Sequence, residues 1–103
     1  DKSQRTENRL GAADANPYLA LAAAIGAGLM GVEQQWEPEP EVTGNAYAQK
    51  HAAHLALPRT LWEAARVYKQ SEAARSLFGD EFVDHFAASR EWEEREFRKH
   101  ITD

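Results

Sequence analysis

Apolar positions along the chain fall into two kinds of run. From Leu19 to Val32 they are nearly continuous, with Leu21, Ile25 and Leu29 at four-residue steps and mostly Ala or Gly between them. Residues four apart share one face of an α-helix, so the spacing predicts a helix over 16–32. Gly26, Gly28 and Gly31 each cost ~1 kcal/mol of helix propensity against Ala. A helix with small residues all round is expected to be held tightly between neighbours, which would offset that cost.

In the second half, apolar residues recur at three- and four-residue steps among charges. Thr60 and Glu63 make a capping box that opens a helix over 60–70. Ser71 starts a short helix over 71–78, and Gly79 closes it. Phe82, Val83, Phe86, Ala87, Arg90, Glu93, Phe97 and Ile101 keep the spacing of a last helix over 80–101. Phe82 with Phe86, and Phe97 with Ile101, would form its apolar stripe. Glu91, Glu94, Arg95 and Arg98 would lie on its outer face, in the pairs Glu91–Arg95 and Glu94–Arg98. Between the two halves, Pro38 and Pro40 alternate with Glu37, Glu39 and Glu41, and Thr43-Gly44-Asn45 signals a turn, so 33–49 reads as a loop. His51 and His54 stand three apart. No third ligand is near, and zinc sites need three or four, so no metal is expected there.

The first ten residues differ from both runs. Polar and charged positions alternate, which reads as a strand over 1–10. In a strand, residues two apart share a face, so Arg5, Glu7 and Arg9 form one charged row. Glu is a hard oxygen ligand suited to Mg²⁺ or Mn²⁺. Arg is a planar fork suited to phosphate or carboxylate. A solvated charge ladder on an edge strand fits the same row and would contribute little to stability. A strand also needs a partner for its backbone groups, and no second convincing strand occurs in the sequence. Gly11 to Asn16 form a turn. Asp14 or Asn16 can cap the following helix, and Pro17 suits its first position. Asn16 and Tyr18 read as structural, a cap and a packing residue.

Composition narrows the picture. The chain has 103 residues, which bounds it to one domain at most, and 43% of them are apolar. A net charge of −5 argues against a nucleic-acid footprint, and no basic run suggests an acidic membrane surface. The longest apolar run, Leu19 to Val32, is 14 residues, too short to span a bilayer. The opening Asp-Lys-Ser-Gln-Arg-Thr has no apolar segment of the secretory kind. There is no Cys, so neither a disulfide framework nor a thiolate metal site is available, which fits a reducing, cytoplasmic setting.

The string Glu7-Asn8-Arg9-Leu10-Gly11-Ala12-Ala13-Asp14-Ala15-Asn16-Pro17-Tyr18-Leu19-Ala20 resembles the C-terminal catalytic region of the glutamine synthetase superfamily. There a Glu-x-Arg strand leads through a short loop into an Ala-Asn-Pro-Tyr-Leu helix start. The Glu-Asn-Arg form is most similar to the branch of γ-glutamylpolyamine and other γ-glutamylamide synthetases. The likeness continues through Leu57-Pro58-Arg59-Thr60-Leu61, Gly79-Asp80-Glu81-Phe82-Val83-Asp84-His85 and Glu96-Phe97-Arg98-Lys99-His100-Ile101-Thr102-Asp103. The first block is specific, and the later ones support it.

The resemblance implies a mainly α chain with an N-terminal strand, the C-terminal fragment of an α+β catalytic domain. It implies an ATP-dependent ligase that joins the γ-carboxylate of glutamate to ammonia or an amine through a γ-glutamyl phosphate. Glu7 would be a ligand to Mg²⁺ or Mn²⁺, Arg9 would bind glutamate and act in catalysis, and Arg5 would lie near the ATP phosphates. The Arg5 assignment is the weaker match, because Thr6 stands where the housekeeping enzymes are usually apolar. The partners implied are glutamate, ATP, ammonia or an amine, the remainder of a longer chain, and further copies in a ring, a dodecamer in the common form. Neither nucleic acid nor membrane is implied. Housekeeping members carry a nucleotidylated Tyr in an Asn-Leu-Tyr-like loop before Leu-Pro-Pro. The stretch matched to it, His54 to Arg59, has no Tyr, so that regulation is not expected there. A non-catalytic helical interaction module, or a family member that has lost catalysis, would also account for the helices and the acidic surface.

Overall fold

Four α-helices and two short 3₁₀ turns make up the regular structure of residues 2–100, which the computed structural model describes. The helices are α1 (Pro17–Glu33), α2 (Leu61–Gln70), α3 (Glu72–Phe78) and α4 (Asp80–Lys99), and the 3₁₀ turns are Ala46–Ala48 and Ala53–Leu55. The chain divides into two compact units, Asp1–Glu37 and Pro38–Asp103.

The strand expected over 1–10 is not there: no strand occurs among the described residues, and residues 4–10 have no regular structure. Strand geometry is defined by ladder hydrogen bonds, and the described residues supply no partner strand for these. Asp1, the first residue of that expectation, lies outside the described residues.

In the first unit, Asn16 performs the cap that the sequence offered to Asp14 or Asn16. Its side-chain oxygen accepts from the N–H groups of Tyr18 (2.9 Å) and Leu19 (3.3 Å), with Pro17 next in line. The far end closes with two crossed bonds. Trp36 N–H donates to Gly31 O at 3.0 Å and Gln35 N–H to Val32 O at 3.2 Å, which is the Schellman pattern. It places Gln35 at φ 55°, a conformation more often given to glycine. The Trp36 ring covers Gly31, lying 3.6 Å from where a Cβ would stand. The tight burial expected of this helix is absent. Gly26 is its buried residue, while Leu21, Ile25 and Leu29 are 62%, 61% and 60% exposed. Tyr18, read as a packing residue, is 84% exposed.

In the second unit, α2, α3 and α4 pack on one another. Thr60 Oγ1 accepts from Glu63 N–H at 3.1 Å, and Glu63 Oε2 reaches back to Arg59 N–H at 2.8 Å. This is the capping box with its return bond one residue further upstream. Ser71 ends α2 with its own N–H on Tyr68 O and caps α3 through Ala74 N–H (3.1 Å). Gly79, at φ 86°, is the residue where α3 gives way to α4, and a side chain there would be strained. Asp80 and Glu81 in the first turn of α4, and Arg98 and Lys99 in its last, complement the helix dipole.

The core of this unit is small. Ala65, Val83 and Ala87 are buried, beside a run of rings. Tyr68 stands edge-on to Phe86 at 5.7 Å, Phe82 stacks on Phe86 at 5.6 Å, and Phe78 lies 5.5 Å from Phe82. The Arg90 guanidinium sits 5.3 Å over Phe86. Burial raises the Tyr68 hydroxyl above its ordinary pKa. Arg75 ties the corner together. Its Nε donates to Lys69 O (2.9 Å), and its two terminal nitrogens to Asp80 (2.9 Å) and Asp84 (2.7 Å). The bond from Arg75 holds the Asp84 carboxyl below the usual carboxylate range.

Two expectations for α4 are corrected. Its outer face does not include Glu94, which is 9% exposed, because Val83 and Ala87 set the inward face and Glu94 falls on it two turns later. Glu91 does not pair with Arg95 but reaches across to Lys69 of α2 at 3.6 Å; Glu94 pairs with Arg98 as expected, at 2.5 Å. Phe97, placed on the apolar stripe, is 66% exposed. Ile101, the last residue of that stripe, lies outside the described residues, and the helix ends at Lys99. The loop expected over 33–49 holds apart from its ends. Glu33 still belongs to α1, and Asn45 caps the 3₁₀ turn Ala46–Ala48 through Tyr47 N–H at 3.0 Å.

Candidate functional site

Arg5, Glu7 and Arg9 come together without a strand. Alternate positions of the segment keep the three side chains on one side. Arg9 Nε donates to Glu7 Oε1 at 2.5 Å, and Arg5 Nη2 stands 3.7 Å from Glu7 Oε2. Arg5 also donates from Nη1 to Ser3 O at 3.2 Å. One carboxylate is therefore shared by two guanidinium groups, one bonded closely and one at the edge of ion-pair range. The side chains remain open to solvent, Arg9 at 84%, Arg5 at 68% and Glu7 at 47%. In water such a group stabilises the fold little. The row sets one anionic oxygen donor between two guanidinium groups.

Asn8, between Glu7 and Arg9, turns the other way in bonding. Its Oδ1 accepts from Leu10 N–H at 3.0 Å. The bond spans two residues, from Leu10 back over Arg9 to Asn8.

A divalent metal does not find a complete site among the described residues. Among the described residues no group of three or more His, Cys, Asp and Glu is placed to hold an ion. Mg²⁺ demands octahedral oxygen coordination, and Glu7 offers one carboxylate. The donor type fits, but the donor number does not. His51 stands just before the turn that holds His54, and neither joins such a group.

The hollows of the helical unit lie elsewhere. One of about 550 Å³ is bounded by Thr60, Leu61, Glu93, Glu94, Phe97 and Arg98. None of the sequence-derived site residues lines it. Beside it, Glu94 Oε2 is buried without a hydrogen-bond partner. Sequence spacing missed this group because it fixed only the Glu94–Arg98 pair and not the face on which that pair falls. Tyr47 was passed over too. It is 99% exposed, in an Asn45-Ala46-Tyr47 sequence upstream of the stretch matched to the nucleotidylation loop. The expectation for His54 to Arg59 therefore does not extend to it. No described helix is long and apolar enough to cross a membrane.

Comparison with known proteins covers the chain end to end. The family model for the glutamine synthetase catalytic domain matches residues 1–103. A gamma-glutamylethanolamide synthetase of Streptomyces coelicolor is 46% identical over 103 residues, 99% of this chain and 21% of that protein. A glutamate–isopropylamine ligase of a Pseudomonas species is 43% identical over 89 residues, 86% of this chain and 19% of the relative. A type-1 glutamine synthetase of Dictyostelium discoideum is 38% identical over 102 residues, 97% of this chain and 20% of the relative. The chain thus spans about a fifth of the length of each of these relatives. No solved structure matches it significantly.

Proposed function

The chain belongs to the glutamine synthetase family, and we propose that the protein carrying it is an ATP-dependent ligase joining the γ-carboxylate of glutamate to ammonia or an amine. The observation that carries this reading is the catalytic-domain match over all of residues 1–103, with the Arg5-Glu7-Arg9 row inside it. Two relatives named for isopropylamine and ethanolamide support an amine, and a relative named a glutamine synthetase supports ammonia.

The chemistry asks for what the row offers. A carboxylate is a poor acyl donor because oxide is a poor leaving group. Transfer of the terminal phosphoryl group of ATP to the γ-carboxylate gives ADP and a γ-glutamyl phosphate. The amine nitrogen then attacks the acyl carbon, phosphate departs, and the nitrogen loses a proton. Arg9 holds the glutamate carboxylate and the charge that grows on the acyl phosphate, as a planar donor fork does for oxyanions. Arg5 faces the phosphates of ATP. Glu7 is one oxygen ligand to Mg²⁺ or Mn²⁺, with the other ligands supplied from outside the described residues. Such an ion, when bound, supplies positive charge that screens crowded phosphate oxygens. To take a substrate carboxylate, Arg9 leaves Glu7, which frees the Glu7 carboxylate for a metal ion.

The whole protein is proposed to be a cytoplasmic ring of identical subunits, a dodecamer, with no nucleic-acid or membrane partner. The net charge of −5 supports the absence of the first.

The test compares the full protein with its Glu7→Ala variant, reading ATP-dependent phosphate release with glutamate plus ammonia, simple amines or polyamines. Activity in the unaltered protein and a loss of about 100-fold or more in a folded Glu7→Ala variant are expected. The 103-residue chain alone is expected to release none. Silence of the unaltered protein with every amine would instead identify a family member without catalysis.

A further inference from the structure

We draw no further inference here: the strongest candidate, the hollow of about 550 Å³ between the start of α2 and the C-terminal half of α4 with the unpartnered Glu94 Oε2 beside it, carries nothing, because that oxygen is buried within its own unit and nothing in the structure shows what covers the hollow.

Discussion

Helices α1 and α4 begin from comparable signals and end in opposite conditions. Both carry large apolar residues at four-residue steps. On α4 the steps lead inward: Val83 and Ala87 are fully buried, and Phe86 meets Tyr68 of α2. On α1 the same spacing leaves Leu21, Ile25 and Leu29 about three-fifths exposed. Periodicity states which residues share a face; it does not say whether the chain supplies something to cover that face. The second unit provides its own cover through two further helices. The first has one helix, and its apolar row is consistent with a chain that spans a fifth of its relatives' length. An open apolar row of this kind favours association.

The sharpest way to break this contrast is to trim one ring and one branched side chain. Phe86→Ala removes a ring that touches Tyr68, Phe82 and Arg90. It is expected to destabilise the helical unit by about 2–3 kcal/mol, because the site is half-buried and cannot fully collapse. Ile25→Ala on α1 is expected to change stability by less than about 0.5 kcal/mol, as at other open positions. Denaturant unfolding followed by circular dichroism reads both. Equal losses would mean that the α1 face is covered in solution.

A smaller effect concerns acid. Asp84 is held below the usual carboxylate range by Arg75, so its folded pKa is lower than its unfolded one. Its contribution is therefore present above the unfolded value, about 3.9, and disappears as pH falls through the lowered folded value. Melting temperatures of the unaltered chain and Asp84→Asn should differ at neutral pH, begin to approach each other near the unfolded value of about 3.9, and converge only below the lowered folded value. A gap that persists in strong acid would assign the effect to something other than the Arg75 bond.

The smallest effect sharpens the picture of α4. Glu94 gives one oxygen to Arg98, and its other oxygen is buried without a partner. Replacing a buried ion by an apolar side chain of similar size is often neutral or stabilising. Glu94→Met is expected to keep stability or raise it by up to about 1 kcal/mol, since Arg98 stays largely in water. A clear loss would show that the carboxylate holds a contact of its own.

The parts legible in the sequence were those with a local cause. Asn16, Thr60, Ser71 and Gly79 act on backbone groups two to four residues away, and each marks a helix end as expected. The Arg5–Glu7–Arg9 association is local in the same sense and was readable from two-residue spacing. Features that failed depend on distant chain. A strand over 1–10 needs a ladder that the described residues do not contain. Glu91 found Lys69, from another helix, in place of Arg95, its own-helix neighbour. Glu94 was misplaced because the inward face of α4 is chosen by what α2 and α3 press against it. The roles proposed for Glu7, Arg9 and Arg5 rest on family likeness, since their spacing alone fits a solvated ladder better.

The Arg75 corner also bears on the order in which the second unit assembles. Its guanidinium reaches back six residues to Lys69 and forward five and nine to Asp80 and Asp84. Loops this short close at small entropic cost, whereas the Lys69–Glu91 contact must enclose the whole of α3 and half of α4. The corner that joins the end of α2 to the elbow between α3 and α4 is thus closed by the shortest loops of the unit, and it brings Tyr68 onto Phe86.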